Sequence, residues 1–117
     1  MEGFFTTVSR IGLLYALGMI EIVWEFQVRA GAEQAFEFHY SSTGTWALLF
    51  ATSAKFHGTK LLREQDGTLR YMTVDRWESH EDFVAFRTEH AERYAEIDKE
   101  CDRLTEMERL VGVFEEI

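Results

Sequence analysis

A chain of 117 residues, 46% hydrophobic and 15% aromatic, has the length of one domain and enough apolar material for one core, which excludes both a disordered chain and two independent cores. Its formal net charge of −9, from 21 Asp and Glu against 12 Lys and Arg, comes without any basic run, so nucleic acid and anionic membrane surfaces are repelled. Cys101 is the sole cysteine and His39, His57, His80 and His90 are scattered, so no disulfide, redox pair, metal or other cofactor is signalled, and a reducing cytoplasm suits the chain.

The apolar run from Ile11 to Ile20 is shorter than the ~20 residues a membrane helix needs. Glu2 spoils the basic start of a secretory signal, and Glu21-Ile22-Val23-Trp24 reads as folded strand rather than a cleavage site. Residues 1–18 are therefore expected to be an extension outside the core, with Met19 standing as an alternative start, and residues 19–117 to be a single domain. From Ile20, the residues Ile22, Trp24, Phe26 and Val28 alternate with Glu21, Val23, Glu25 and Gln27, a period of two that predicts a strand ended by Ala30-Gly31. Ala32 to Tyr40 carries Ala35, Phe36, His39 and Tyr40 at helical spacing. Ser41-Ser42-Thr43-Gly44 interrupts it, and Thr45 to Ala54, with Trp46, Leu49 and Phe50 on one face, predicts a second short helix.

Gly58 to Glu64 and Leu69 to Trp77 are extended runs around Gln65-Asp66-Gly67-Thr68, and an Asp-Gly step between such runs predicts an antiparallel hairpin. Ser79 followed by Asp82 three residues on is the start signal of a helix, expected to run unbroken from His80 to about Arg103. Its apolar stripe is Phe83, Phe86, His90, Tyr94, Ile97 and Cys101, which must lie on a sheet. Leu110 to Phe114 predicts a last, short strand. The order β-α-α-β-β-α-β is the α+β, ferredoxin-like split βαβ plan, a four-stranded antiparallel sheet with its helices on one face. The other face then shows Val23, Met72 and Val74; at about 1.5 kcal/mol for each covered side chain, a second copy of the sheet is its expected cover.

At Tyr71-Met72-Thr73-Val74-Asp75-Arg76-Trp77-Glu78-Ser79, followed by Phe83-Val84-Ala85-Phe86, the chain resembles the antibiotic biosynthesis monooxygenase family of dimeric α+β barrels. Phe56-His57-Gly58-Thr59 and the strand Ile20 to Val28 extend the resemblance over most of the stretch from Met19 to Phe114. It implies a homodimer with facing sheets and, in some members, a pocket between sheet and helices where aromatic substrates react with dioxygen without metal or flavin. Other members degrade haem with a strand Asn, a Trp and a helix His acting together. This chain has no Asn and holds Arg87 where that His is expected, so only Trp77 carries over and haem degradation by that route is set aside.

Oxygenation without a cofactor needs a phenol, hydroquinone or enol, a base to deprotonate it and a largely dry pocket. His90, on the stripe between Phe86 and Tyr94, is the base candidate, since burial would keep it neutral; the same place suits a core histidine bonded to a carbonyl or a tyrosine. Trp77, Tyr71, Phe86 and Tyr94 are candidate walls of a substrate pocket, and ordinary core packing accounts for each of them as well. Tyr40, beside His39 and Trp46 at the Ser41–Gly44 break, is the candidate mouth, where a surface cluster fits equally well; His57 is expected to be exposed, with the same mouth as its alternative place. Glu25, Asp75 and Arg76 are candidates for ion pairs across the sheet or at the dimer contact, with a solvated rim as the default, and Cys101 reads as a small buried apolar side chain. The functional expectation is a cofactor-independent monooxygenase acting on a small aromatic or polyketide-like substrate. The alternatives are a non-catalytic dimeric binding or accessory protein that holds an apolar ligand, and a structural dimer whose aromatics fill the cavity.

Overall fold

A computed structural model describes residues 19–117, so the expectation of an extension and an alternative start before Met19 falls outside the described residues. The elements are β1 (Ile20–Val28), α1 (Glu33–Tyr40), α2 (Thr45–Phe50), β2 (Phe56–Arg63), β3 (Arg70–Trp77), α3 (His80–Glu89), α4 (Ala91–Asp102) and β4 (Thr105–Glu115). They form a four-stranded sheet in the order β2-β3-β1-β4 with every neighbouring pair antiparallel, which is the ferredoxin-like plan read from the element order. Local chemistry sets the joints. Asp66 Oδ1 accepts from the Thr68 backbone N–H at 3.0 Å, and Gly67 supplies the positive φ of +80° on which the β2–β3 turn depends. Ser79 Oγ accepts from the Asp82 N–H at 3.0 Å and caps α3. Between α1 and α2, a Cβ at Gly44 would stand 2.5 Å from the Phe38 carbonyl oxygen and 2.8 Å from that of His39, so the backbone closes there only because residue 44 has no side chain.

The β1–β3 register pairs Ile20 with Trp77, Ile22 with Asp75, Trp24 with Thr73 and Phe26 with Tyr71, and these side chains share the inner, helix-covered face. Between that face and the helices Trp77, Tyr71, Phe36, Ile97, Val28 and Cys101 are fully buried. Phe50 is the hub of an aromatic cluster, with its ring centroid 5.5 Å from Trp77, 5.6 Å from Phe86 and 5.4 Å from Phe56.

The structure differs from the sequence expectation in three places. The helix after Ser79 is not continuous: it breaks at His90, whose φ of −109° and ψ of 29° separate α3 from α4. There the Phe86 carbonyl is approached both by the His90 backbone N–H at 2.9 Å and by its ring Nδ1 at 3.1 Å, a local competition that bends the path while keeping Phe86, Tyr94 and Ile97 on the sheet. The last strand is twice as long as Leu110 to Phe114, running over Thr105–Glu115. Its register against β1 jumps between Val23 and Trp24 and again between Gln27 and Val28, leaving Val111 and Glu106 as extra residues, and these bulges erase the period of two on which a strand is recognised.

The third difference concerns the outer face. Val23, Met72 and Val74 lie there as expected, but the centre is held by Glu25, only 6% exposed, whose carboxylate accepts from Arg70 on β3 and Arg109 on β4. Arg76 reaches Glu116 by a two-pronged pair. The face is thus a charged lattice set among apolar side chains, not a bare hydrophobic sheet. Hydrogen bonds from Arg109 and then Arg70 hold the Glu25 carboxyl below the usual range.

Candidate functional site

A cavity of about 90 Å³ opens between the inner face of the sheet and the helices. Its floor is Trp24 and Phe26 from β1, Thr59 from β2, and Thr73 and Asp75 from β3; the wall is Tyr40, Trp46 and Phe50 from the first helical crossover. The rim is Arg87 of α3, Tyr94 and Asp98 of α4, and Glu108 of β4. Strand alternation accounts for the floor. Trp24 and Phe26 are two apart on β1, Thr73 and Asp75 two apart on β3, and Thr59 pairs with Asp75 across the β2–β3 ladder. Glu108 pairs with Phe26 and so also faces inward.

Asp75 lies on the floor of this cavity with its pKa displaced from the ordinary value. It is partly buried, and desolvation pushes its carboxyl up to about 6 from the ordinary 3.8, while the hydrogen bond donated by the Thr59 hydroxyl pulls the other way. No Lys, Arg or His among the described residues pairs with it. A carboxylate without a counter-ion, titrating close to neutrality in a partly dry cleft, is suited to take a proton from a bound hydroxyl. Around it, burial pushes the Tyr94 phenol up to about 12 and raises that of Tyr40 as well, so both tyrosines stay protonated with hydroxyls able to donate hydrogen bonds. The Arg87 guanidinium lies 5.0 Å from the centre of the Tyr94 ring. At the rim the Glu108 carboxyl is raised first by burial and then by the neighbouring charges of Asp98 and Asp102. Among the described residues no three His, Cys, Asp or Glu side chains are grouped to hold a metal ion.

The residues singled out from the sequence divide into three sets. Tyr40 and Tyr94 line the cavity, as does Trp46. Trp77 and Phe86 stand one layer behind it, each packed on Phe50, and the Trp77 indole N–H is buried without a partner. His90 and Tyr71 lie away from it. The His90 ring stacks on Phe86 at 4.2 Å with Nδ1 facing the Phe86 carbonyl, the arrangement of a core histidine bonded to a carbonyl. Tyr71 donates to Glu37 at 2.6 Å and borders a separate polar cleft with Arg63 and Glu33. His39 is tied to Thr45 at 2.9 Å and His57 to Glu78 at 3.1 Å, so neither reaches the mouth. Burial raises the Cys101 thiol to about 11, which leaves it inert.

Asp75 was the residue to find. Counting by two from Tyr71 and Thr73 reaches Asp75 and then Trp77, so the alternation of β3 itself puts an acid on the buried face. A rim assignment disregards that phase.

No family model and no curated protein matches the chain. Solved structures do. SnoaB, a cofactor-independent oxygenase from Streptomyces nogalater, superposes with a TM-score of 0.69 at 24% identity, covering 82% of this chain and 90% of that one. A candidate antibiotic biosynthesis monooxygenase from Bordetella bronchiseptica gives a TM-score of 0.70 at 24% identity, over 86% of this chain and 98% of the other. A NIPSNAP family protein from Agrobacterium tumefaciens gives 0.62 at 17% identity, over 82% and 90%. At these identities the likeness is one of fold, and the chain has the fold of the antibiotic biosynthesis monooxygenases, as the Tyr71–Ser79 motif implied.

Proposed function

We propose that the chain is a cofactor-independent monooxygenase of small aromatic or polyketide-like molecules, with Asp75 as the base. The observation that carries this reading is a partly buried carboxyl without an ionic partner among the described residues, held by Thr59 on the floor of an aromatic cavity that Arg87 also lines; desolvation raises it to about 6. Asp75 takes the proton of an acidic enol or phenol, and the resulting anion passes an electron to dioxygen. The radical and superoxide combine in a new C–O bond, and Asp75 returns its proton to the peroxide. The oxygenated carbon then gives up its remaining hydrogen as the O–O bond breaks, which releases water and leaves a carbonyl there, so one oxygen atom enters the product and the other departs as water. Arg87 supplies positive charge at the rim for the anionic stages. Tyr40 and Tyr94 donate hydrogen bonds, and Trp24, Trp46 and Phe50 keep the ring in place and water out. Trp77 and Phe86 act through Phe50, which they support from behind.

The test is oxygen uptake with a panel of anthrones and hydroquinones. Asp75→Asn should lower kcat/KM by about a hundredfold or more, the usual worth of a general base, while His90→Ala leaves it unchanged. Equal rates for Asp75→Asn and the parent protein would remove the proposal.

We further infer a homodimer through the outer face, where Val23, Met72, Val74 and the Glu25 clamp offer a self-complementary mixture of apolar and charged groups. A cytoplasmic setting goes with the buried thiol of Cys101. Among the described residues no helix is long and apolar enough to cross a membrane.

A further inference from the structure

Among the described residues, the helices leave part of the inner face of the sheet uncovered. Phe26 stands opposite Glu108, Trp24 opposite Leu110 and Ile22 opposite Val113, so these three β4 side chains point to the same side as the cavity floor. At the start of β4, Thr105 is buried on that side beside Val28. Further along, Leu110 is 44% exposed and Val113 40%. A lone apolar side chain on an edge strand needs no explanation. These two are set apart by their neighbours. Leu110 adjoins Trp24 across the ladder and Glu108 two residues back, and both of those line the cavity, so the apolar strip begins where the cavity wall ends. Trp24 joins the two parts: it lies on an interior strand and packs against the core, yet it is only half-buried. Pairing of two copies through the outer face leaves the strip open, since Leu110 and Val113 face away from Val23 and Glu25.

Size and distance say what covers it. At about 90 Å³ the cavity is smaller than the roughly 150 Å³ apolar void known to admit benzene, so no more than one ring enters and the rest of a ligand leaves through the opening. Asp75 pairs with Ile22, and Ile22 with Val113, which sets Val113 two strand spacings, about 10 Å, from Asp75. Leu110 is about 12 Å away along the diagonal. A phenol ring whose hydroxyl meets Asp75 covers part of that distance, and a chain on its para carbon crosses Trp24 and lies on the strip. A charged tail gains nothing from Leu110, Val113 and the indole ring, whereas a hydrocarbon chain leaves water there. We propose that Trp24, Leu110 and Val113 form a subsite for an apolar chain, and that the ligand is a phenol or enol ring carrying an unbranched chain of about four to six carbons opposite its hydroxyl. This rests on the oxygenase reading for the seat of the hydroxyl at Asp75; the chain follows from the strip.

Titration calorimetry with para-cresol, para-ethylphenol, para-butylphenol and para-hexylphenol provides the test. Each added methylene should tighten binding about twofold on a strip open to water on one side, so para-hexylphenol binds about thirtyfold more tightly than para-cresol. The Leu110→Thr, Val113→Thr double variant keeps β-forming residues and removes apolar surface. There the ratio should fall below about fivefold while the affinity for para-cresol stays as it is. Phe114→Thr, a comparably exposed position on the outer face, should leave the ratio unchanged. A flat series in the parent protein, a ratio unaltered in the double variant, an equal fall in Phe114→Thr, or no binding of any probe would each overturn the inference. So would a dimer that dissociates in the double variant, because a second copy then holds the strip. Oxygen uptake with anthrones and hydroquinones separates the two readings: a flat series with uptake intact removes the chain subsite alone, and a rising series without uptake keeps the subsite and removes the oxygenase.

Discussion

Thr59 on β2 and Asp75 on β3 face each other across the hairpin, and the Thr59 hydroxyl donates to the Asp75 carboxylate inside the cavity. It is the one interaction there that favours the charged acid against burial. Thr59→Val keeps the shape and deletes the donor. The pH at which oxygen uptake rises should then move upward from about 6, with the plateau rate at alkaline pH little changed. A profile that stays in place would show that Asp75 does not set it.

The same acid should weaken the fold at neutral pH. Its folded value, about 6, lies above the ordinary 3.8, so between those limits the folded state holds more proton than the unfolded one and stability falls as pH rises, levelling off above about 6. The shift corresponds to no more than about 3 kcal/mol. Asp75→Asn is expected to raise Tm at pH 7 and to flatten the dependence between pH 4 and 6 while lowering kcat/KM by about a hundredfold or more. Loss of Tm together with activity would point to a structural role instead.

Glu25 works in the opposite sense. Two guanidinium groups depress its carboxyl, so it contributes stability above the ordinary 4.5 that is lost as pH falls through the lower folded value. Glu25→Gln should lower the urea midpoint at pH 7 and leave it nearly unchanged near pH 3, where the parent protein loses the same interaction. Arg109→Ala should do part of this, since Arg70 remains.

His90→Ala removes the ring that competes for the Phe86 carbonyl. The variant should gain helix content by circular dichroism and change stability by less than about 1 kcal/mol, as mid-helix side-chain-to-backbone bonds contribute little. A large loss would mean that stacking on Phe86 outweighs the strain of the break.

If the outer face meets a second copy, Tm should rise with protein concentration and sedimentation should give twice the chain mass at micromolar strength. Glu25→Arg, which sets three cations side by side, should return the chain to a monomer. A concentration-independent Tm would count against the pairing.

The architecture was legible because its signals are local and regular: the alternation of β1, the Asp66-Gly67 turn and the Ser79 cap each act within a few residues. The bulges of β4 and the break at His90 were not, since each is a departure from period that only a neighbouring strand or a carbonyl one turn away explains. Of the site, Tyr40 and Tyr94 were found by their place at a loop break and on an apolar stripe. Asp75 was overlooked because acids are normally assigned to water, whereas its phase on β3 already argued for the interior. Arg87, Asp98 and Glu108 come from three elements and meet only in the folded chain, so no spacing in the sequence announces them.

Gly44 sets a limit on how this protein can diversify. Tyr40 and Trp46, both on the cavity wall, hang on either side of a joint that excludes even a methyl group. A lineage exploring new ligands is free to exchange the rings themselves or the acids of the rim, each by a single codon. The joint has no such freedom, because any side chain there meets the Phe38 and His39 carbonyls and must shift the backbone between the two wall helices.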